Sequence, residues 1–188
     1  MNKSLRTLVL MSMFAAMSYM LMFTLQIPLI PAAPYLKYDP SDVPTLIGGF
    51  VLGPVAAVVI SGVKALLYMI TKGESGPVGS IQNFLASASF AFTAAMIYKK
   101  RPGLLTAGLG MLAGALVMTV IMYFSNALWA LSAYGIPKAA HAGLLRTAVT
   151  PFNLARGAMS TLITFPVFVA LIPALKKLGF TQKNKFGN

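Results

Sequence analysis

Residues 35–49 read YLKYDPSDVPTLIGG, and the fold turns on what this stretch can and cannot do. It holds Asp39 and Asp42, two of only three acidic residues in the chain, beside Lys37 and among Pro34, Pro40 and Pro44. The sequence on either side is almost entirely apolar. A charged, proline-punctuated loop between two such runs cannot lie in hydrocarbon, where each unsatisfied backbone group costs several kcal/mol. It must face water or line a cavity, and the runs that flank it are then membrane spans.

Composition leads to the same class. Of the 188 residues, 57% are hydrophobic and 10% charged, with a mean hydropathy of +0.78, against about 25% charged in soluble domains. The chain reads as an all-α integral membrane protein. A formal net charge of +12 would suggest nucleic acid in a soluble protein. Here the basic residues sit mainly at the ends of apolar runs, where they set topology, so the expected partner is the lipid bilayer and no nucleic acid. The lack of cysteine excludes a disulfide framework, a thiolate metal site and a thiol nucleophile. The opening MNKSLRTLVL stays apolar to Ile30 without a small-residue cleavage site, which predicts a retained first helix.

Residues 4–27 are long enough to span a bilayer, which needs about 20 residues. Within them Ser12 and Ala16 form a small-xxx-small pair that serves either packing inside the bundle or docking of a separate subunit. After the charged loop, Gly53-Pro54 interrupts the next apolar run. Charge decides whether that run is one span or two. Lys3/Arg6, Lys99-Lys100-Arg101 and the tail lysines 176, 177, 183 and 185 all belong on the cytoplasmic side by the positive-inside rule. An even number of crossings must separate the first two clusters, which predicts spans at 42–53 and 55–71, the first short and tilted or set among other helices. Spans at 79–98, 102–131 and 151–175 complete six in a single domain over 1–188, with both termini cytoplasmic and external loops at 28–41, 72–79 and 132–149. Glycines at 103, 108, 110 and 114 suggest close backbone contacts in the fifth span.

Lys64 and Arg156 lie inside predicted spans, and a cation at that depth is a functional-site candidate by default. At 1.5 Å per residue, Arg156 lies about 7 Å inside the outer end of the last helix. PFNLARG puts Asn153 one turn before it on the same face, and Ser160 continues that face. Asn126 and Asn83 reach similar depths on the fifth and fourth spans, and Lys64 lies somewhat deeper, with Tyr68 one turn above. Five polar side chains from four helices thus converge beneath the charged loop. Carboxamides offer both donor and acceptor, which suits the alternating C=O and N–H edge of a heterocycle such as a pyrimidinedione. Leu46, Ile47, Phe84, Trp129 and Phe152 supply apolar cover for a flat ring. For each asparagine taken singly, interhelical hydrogen bonding is the competing role. Trp129 and Tyr134 are better explained as interfacial belt residues, and His141 has no partner cluster. Asp39 and Asp42 are expected to cap the following helix and pair with Lys37 or Lys64 rather than touch a ligand.

What is missing narrows the function. The chain has no GxxxxGK[ST] phosphate loop and no HExxH, and no carboxylate stands in a helix core to relay protons. No nucleophile and base are paired, so no catalytic residue, no metal and no cofactor is expected. The residues describe a binder of a small external molecule that is poorly equipped to drive its transport alone. A stand-alone facilitator and an intramembrane enzyme are the rival classes.

YLKYDPSDVPTLIGGFVLGP, GPVGSIQNFL at 76–85 and the PFNLARG segment resemble the riboflavin-specific substrate-binding component of energy-coupling factor (ECF) vitamin transporters, over nearly the whole chain. The resemblance implies a six-helix bundle in a bacterial plasma membrane that captures riboflavin near its outer surface, with loop 28–41 as a lid. It implies a transmembrane coupling subunit and two ATPase subunits as partners, with riboflavin as transported ligand. By position, Asn153, the neighbouring basic residue Arg156 and Asn126 would contact the flavin, and residues around Thr45 and Leu46 would close over it. The lid loop would contribute Lys37, Asp39 and Asp42. The family usually has lysine at the position of Arg156, and FSNALWALSAYG departs from its aromatic run after Asn126. An S component of the same fold for another flat vitamin or nucleobase-like compound is the nearest alternative.

Overall fold

A computed structural model describes residues 3–31, 33, 36–73 and 76–177, with the side chains of Lys3, Ser4 and Lys176 excepted. Pro34, Tyr35, Lys183 and Lys185 lie outside the described residues. The helices are α1 (Lys3–Thr24), α2 (Asp42–Leu52), α3 (Pro54–Thr71), α4 (Gly76–Lys100), α5 (Leu104–Ser125), α6 (Leu131–Ala133), α7 (Lys138–Leu144) and α8 (Thr150–Lys177). Five stretches are long and apolar enough to cross a membrane: Leu5–Thr24, Pro54–Thr71, Gly76–Lys100, Leu104–Ala133 and Lys138–Leu175. The short apolar α2 is the sixth member of the bundle.

The break between α2 and α3 falls at Gly53-Pro54 for a local reason. Gly53 has φ of 101°, a conformation that L side chains rarely adopt, and Pro54 opens the next helix, where its missing N–H costs nothing. From Asp42 to Phe50 every residue of α2 is buried. It packs against α1, α3, α4 and α8 and so forms the centre of the bundle.

Close approach elsewhere depends on small residues. A Cβ at Gly114 would meet the Phe90 carbonyl oxygen at 2.5 Å, so α4 and α5 touch backbone to backbone there. The core runs from Leu46 and Ala86 through Phe90, Met111 and Met118 to Phe50, Tyr98 and Phe168. These last three rings meet at centroid distances of 4.9, 4.9 and 5.7 Å and fill the end of the bundle away from the charged loop. The exposed side chains of Leu105, Leu109, Leu112, Leu116 and Val120 on α5 form an apolar face suited to lipid.

Two expectations are corrected. Residues 132–149 are not an irregular loop. Pro137 caps α7, which passes through a π-helical turn at Leu145–Val149 directly into α8. Leu131, Leu145 and Val149 pack together with Ala127, Ile136 and Leu144, an apolar cluster that gives this segment a helical hairpin instead of a solvated strand. The fourth span begins at Gly76 rather than 79, which shortens the loop before it. The fifth span covers Leu104–Ala133, close to the expected 102–131, and within it the α-helix changes to a π-helical turn at Asn126–Ala130, followed by α6.

Loop 28–41 also carries order of its own. Ile27–Pro28 (β1) pairs antiparallel with Lys37–Tyr38 (β2), with Ile27 opposite Tyr38. Tyr38, Asp39 and Ser41 are buried, so the charged stretch folds down over the bundle instead of standing in water.

Candidate ligand-binding site

Beneath this hairpin lies a cavity of about 90 Å³, bordered by residues of α1, the loop, α4, α5 and α8. Gln82, Asn83, Asn126 and Asn153 all line it, together with Arg156, Lys37 and Asp39. Met22, Leu36, Met122 and Phe152 supply apolar walls, and Tyr134 stands beside them although its position suggested a membrane-interface role.

One π-helical turn begins at Asn126 and the other ends four residues before Asn153. A π turn is a feature found often at functional sites. Asn126 Nδ2 donates to the Met122 carbonyl at 2.8 Å, and Asn153 Nδ2 donates to the Val149 carbonyl at 2.8 Å. A carbonyl only accepts, so nitrogen must be the atom facing it and each Oδ1 is left over. Asn153 Oδ1 and Asn83 Oδ1 are buried without a partner among the described residues, and so are both amide atoms of Gln82. Burying such groups unpaired costs about 1–3 kcal/mol each. A cavity lined by them is poised for a ligand with donors and acceptors of its own.

The floor of the cavity is ionic. Arg156 Nε donates to Asp42 Oδ2 at 2.8 Å and its Nη2 to Asp42 Oδ1 at 3.0 Å, a two-pronged pair in which both residues are buried. Behind Asp42, Lys64 Nζ lies 3.4 Å from Oδ1 and donates to Ser41 Oγ at 2.8 Å and to Ser87 Oγ at 2.7 Å. Ser87 in turn donates to Asp42 at 2.5 Å and accepts from Arg156 Nη2 at 3.0 Å. One carboxylate at the start of α2 therefore ties together α3, α4 and α8. Asp42 pairs with Arg156 as well as the expected Lys64, and Lys37 reaches Gln26 Oε1 at 3.4 Å. As expected, Asp39 caps the turn that leads into α2: its Oδ1 accepts the N–H of Ser41, which already has helical φ and ψ, at 3.0 Å, and its burial also places it on the cavity wall. Burial also pushes the Tyr38 phenol above its ordinary range, so the hydroxyl stays protonated.

Of the residues singled out from sequence, Asn83, Asn126, Asn153 and Arg156 are brought together on the cavity. Lys64 is not: it is fully buried one layer behind, in contact with Asp42 rather than the cavity. Leu46 belongs to the apolar core. Thr45 bonds the Ser41 carbonyl and meets Ser18 at 3.0 Å, which ties α2 to α1. Phe84 is half-buried against the Gly62 region of α3. Ser12 and Ala16 are exposed on α1 beside Leu8, Val9 and Met13, so they do not pack inside the bundle.

Gln82, Gln26, Ser41 and Ser87 were missed. Gln82 gave the same signal as its neighbour Asn83, a carboxamide in an apolar helix, and adjacent residues on a helix can border one cavity from two sides. Ser87 lies one turn along from Asn83 on the same face. Among the described residues no group of three or more metal-binding side chains occurs.

A helical membrane bundle with a polar cavity beneath a hairpin at one end has the form of a membrane-embedded binding protein. Comparison with known proteins gives the family. Residues 6–168 match the family described as "ECF transporter, substrate-specific component", and the chain belongs to it. It is a multi-pass membrane transport protein rather than an enzyme. It is 34% identical to the riboflavin transporter RibU of Staphylococcus aureus, over 92% of this chain and 94% of that one. It is 31% identical to the riboflavin transporter FmnP of Bacillus subtilis, over 92% and 95%. A solved structure described as "Structure and mechanism of the S component of a bacterial ECF transporter" superposes with a TM-score of 0.80 at 32% identity, covering 93% of this chain and 99% of that one.

Proposed function

We propose that this chain captures riboflavin at the lid end of the bundle and delivers it through an energy-coupling factor complex. The observation that carries the reading is the set of carboxamides and one guanidinium around a single lidded cavity. A flavin's imide edge presents one N–H between two carbonyls. Asn153 and Asn83 offer acceptors for the former, and Arg156 and Gln82 offer donors for the latter. Met22, Met122 and Phe152 give the ring apolar contact. The relatives named as riboflavin transporters point the same way.

The cavity is smaller than the 300–1,000 Å³ usual for small-molecule sites. Entry of a tricyclic ring therefore needs the β1–β2 hairpin to lift, the loop acting as a lid over residues 28–41. In this reading the lid faces outward, both termini face the cytoplasm, and the exposed α1 face with Ser12 and Ala16 docks the transmembrane coupling subunit, which works with two ATPase subunits. No cofactor takes part.

The test is a titration of the detergent-purified chain with riboflavin, following flavin fluorescence and that of Trp129, the single tryptophan. Saturable binding at one site per chain is expected. Vesicles holding this chain alone are expected to bind without net flux until the partner subunits and ATP are supplied. Absence of binding in folded protein overturns the riboflavin assignment, and ATP-independent flux from the chain alone overturns the coupled mechanism.

A further inference from the structure

Asp42 is held by two cations where one would neutralise it. Arg156 borders the cavity, and its Nε and Nη2 are spent on Asp42 and Ser87. Lys64 approaches the same carboxylate from α3, is fully buried, does not border the cavity, and is braced by Ser41 and Ser87. Three of the five guanidinium N–H donors go to Asp42 and Ser87, so a ligand that takes more than the two on Nη1 draws Arg156 away from the carboxylate. If it were the sole partner, that step would leave a buried charge unpaired, which is strongly unfavourable.

We propose that Lys64 is a positioning residue, a reserve counter-ion that keeps Asp42 paired when Arg156 turns its guanidinium toward the ligand. Lys64 suits this role by its place and its chemistry. It stands on the far side of Asp42 from the cavity, it is a compact charge on a flexible stem, and its contacts to Ser41 and Ser87 hold it there whatever Arg156 does. Ser87 completes the exchange, since its oxygen meets both cations and its proton goes to Asp42. Asp42 also lies directly after the lid loop, so a change in its pairing reaches the root of the lid. The inference rests on the reading above that Arg156 contacts the ligand.

Two double-mutant cycles between Lys64 and Arg156 test it. The first needs no ligand: thermal unfolding in detergent of Lys64→Met, Arg156→Met and the double variant. If each cation can hold Asp42 alone, each single change lowers the midpoint modestly and the double change lowers it by clearly more than the sum. Additive shifts overturn the reserve. The second cycle reads riboflavin affinity. Lys64→Met is expected to weaken binding about tenfold or more when Arg156 is present and by less than about twofold in the Arg156→Met background. Adding Asp42→Asn to Lys64→Met is expected to restore most of the loss, because Arg156 is then no longer needed by the carboxylate. An equal loss in both backgrounds shows that Lys64 acts only through structure and overturns the proposal. Should the unaltered protein bind no riboflavin, the ligand assignment fails on that control, and the unfolding cycle still decides whether the two cations substitute for each other.

Discussion

The two ends of the bundle axis are built on opposite principles. Away from the lid, Phe50, Tyr98 and Phe168 interlock with centroids within 6 Å of one another, in contact with Ala94, Ala107 and Met111. Beneath the lid, Asp42, Lys64, Arg156, Ser41 and Ser87 form an ionic layer, and above it stand amide atoms with nothing to bond. Aromatic rings pack through area and shape, and a partner's loss leaves a void. Buried charges need one another, and a partner's loss leaves an uncompensated ion. The aromatic rings satisfy one another as they stand, whereas the amides of the polar end have atoms without a partner among the described residues.

Four changes break or sharpen this contrast. Asp42→Leu should be the most damaging, because Lys64 and Arg156 lose their shared carboxylate at once; a loss of about 3–5 kcal/mol is expected from breaking such a buried pair, read by chemical unfolding in mixed micelles. Recovery of wild-type stability in that variant would show the layer to be dispensable. Phe168→Ala should cost about 3–4 kcal/mol through the void it leaves, yet change flavin affinity little, since it lies at the far end. Weakened binding in folded Phe168→Ala protein would mean that the two ends are coupled.

Asn153→Ala should do the reverse, leaving the fold nearly intact and weakening riboflavin binding by about 1–3 kcal/mol through a lost hydrogen bond and an unpaired ligand group. An unchanged dissociation constant removes Asn153 from the site. Gln82→Leu gives the smallest effect on the fold and the most telling sign. Replacing an unpartnered buried amide by an apolar side chain of similar size should raise the stability of the ligand-free protein by about 1 kcal/mol while reducing affinity. Thermal melts with and without flavin measure both signs in one experiment, and a destabilised ligand-free variant would show that Gln82 has a structural bond after all.

Much of the bundle was legible in the chain because each signal was local. Hydropathy marked the spans, Gly53-Pro54 marked the turn between α2 and α3, and Gly114 marked a close approach. Residues 132–149 were misread for a physical reason as well. Tyr134, Pro137, His141 and Arg146 look like solvated loop residues one by one, but Leu131, Leu145 and Val149 meet only after the chain has folded back on itself. The site divided along the same line. Asn83, Asn126, Asn153 and Arg156 could be picked out because polar groups are costly in a span. Lys64 carried the same signal and turned out to lie behind the cavity, since depth along a helix says nothing about which neighbour a side chain finds.

By itself, then, the sequence determined that this protein lives in a membrane, how many helices it brings there, and which few polar side chains must be sheltered. Burial in hydrocarbon is a property of each segment and needs no knowledge of the others. Only the tertiary structure decided which cation faces the cavity and which stands behind Asp42, and which amide atoms remain unpaired. Those outcomes depend on contacts between residues as far apart as Asp42 and Arg156, separated by 114 positions in the chain and by 2.8 Å between Oδ2 and Nε in the fold.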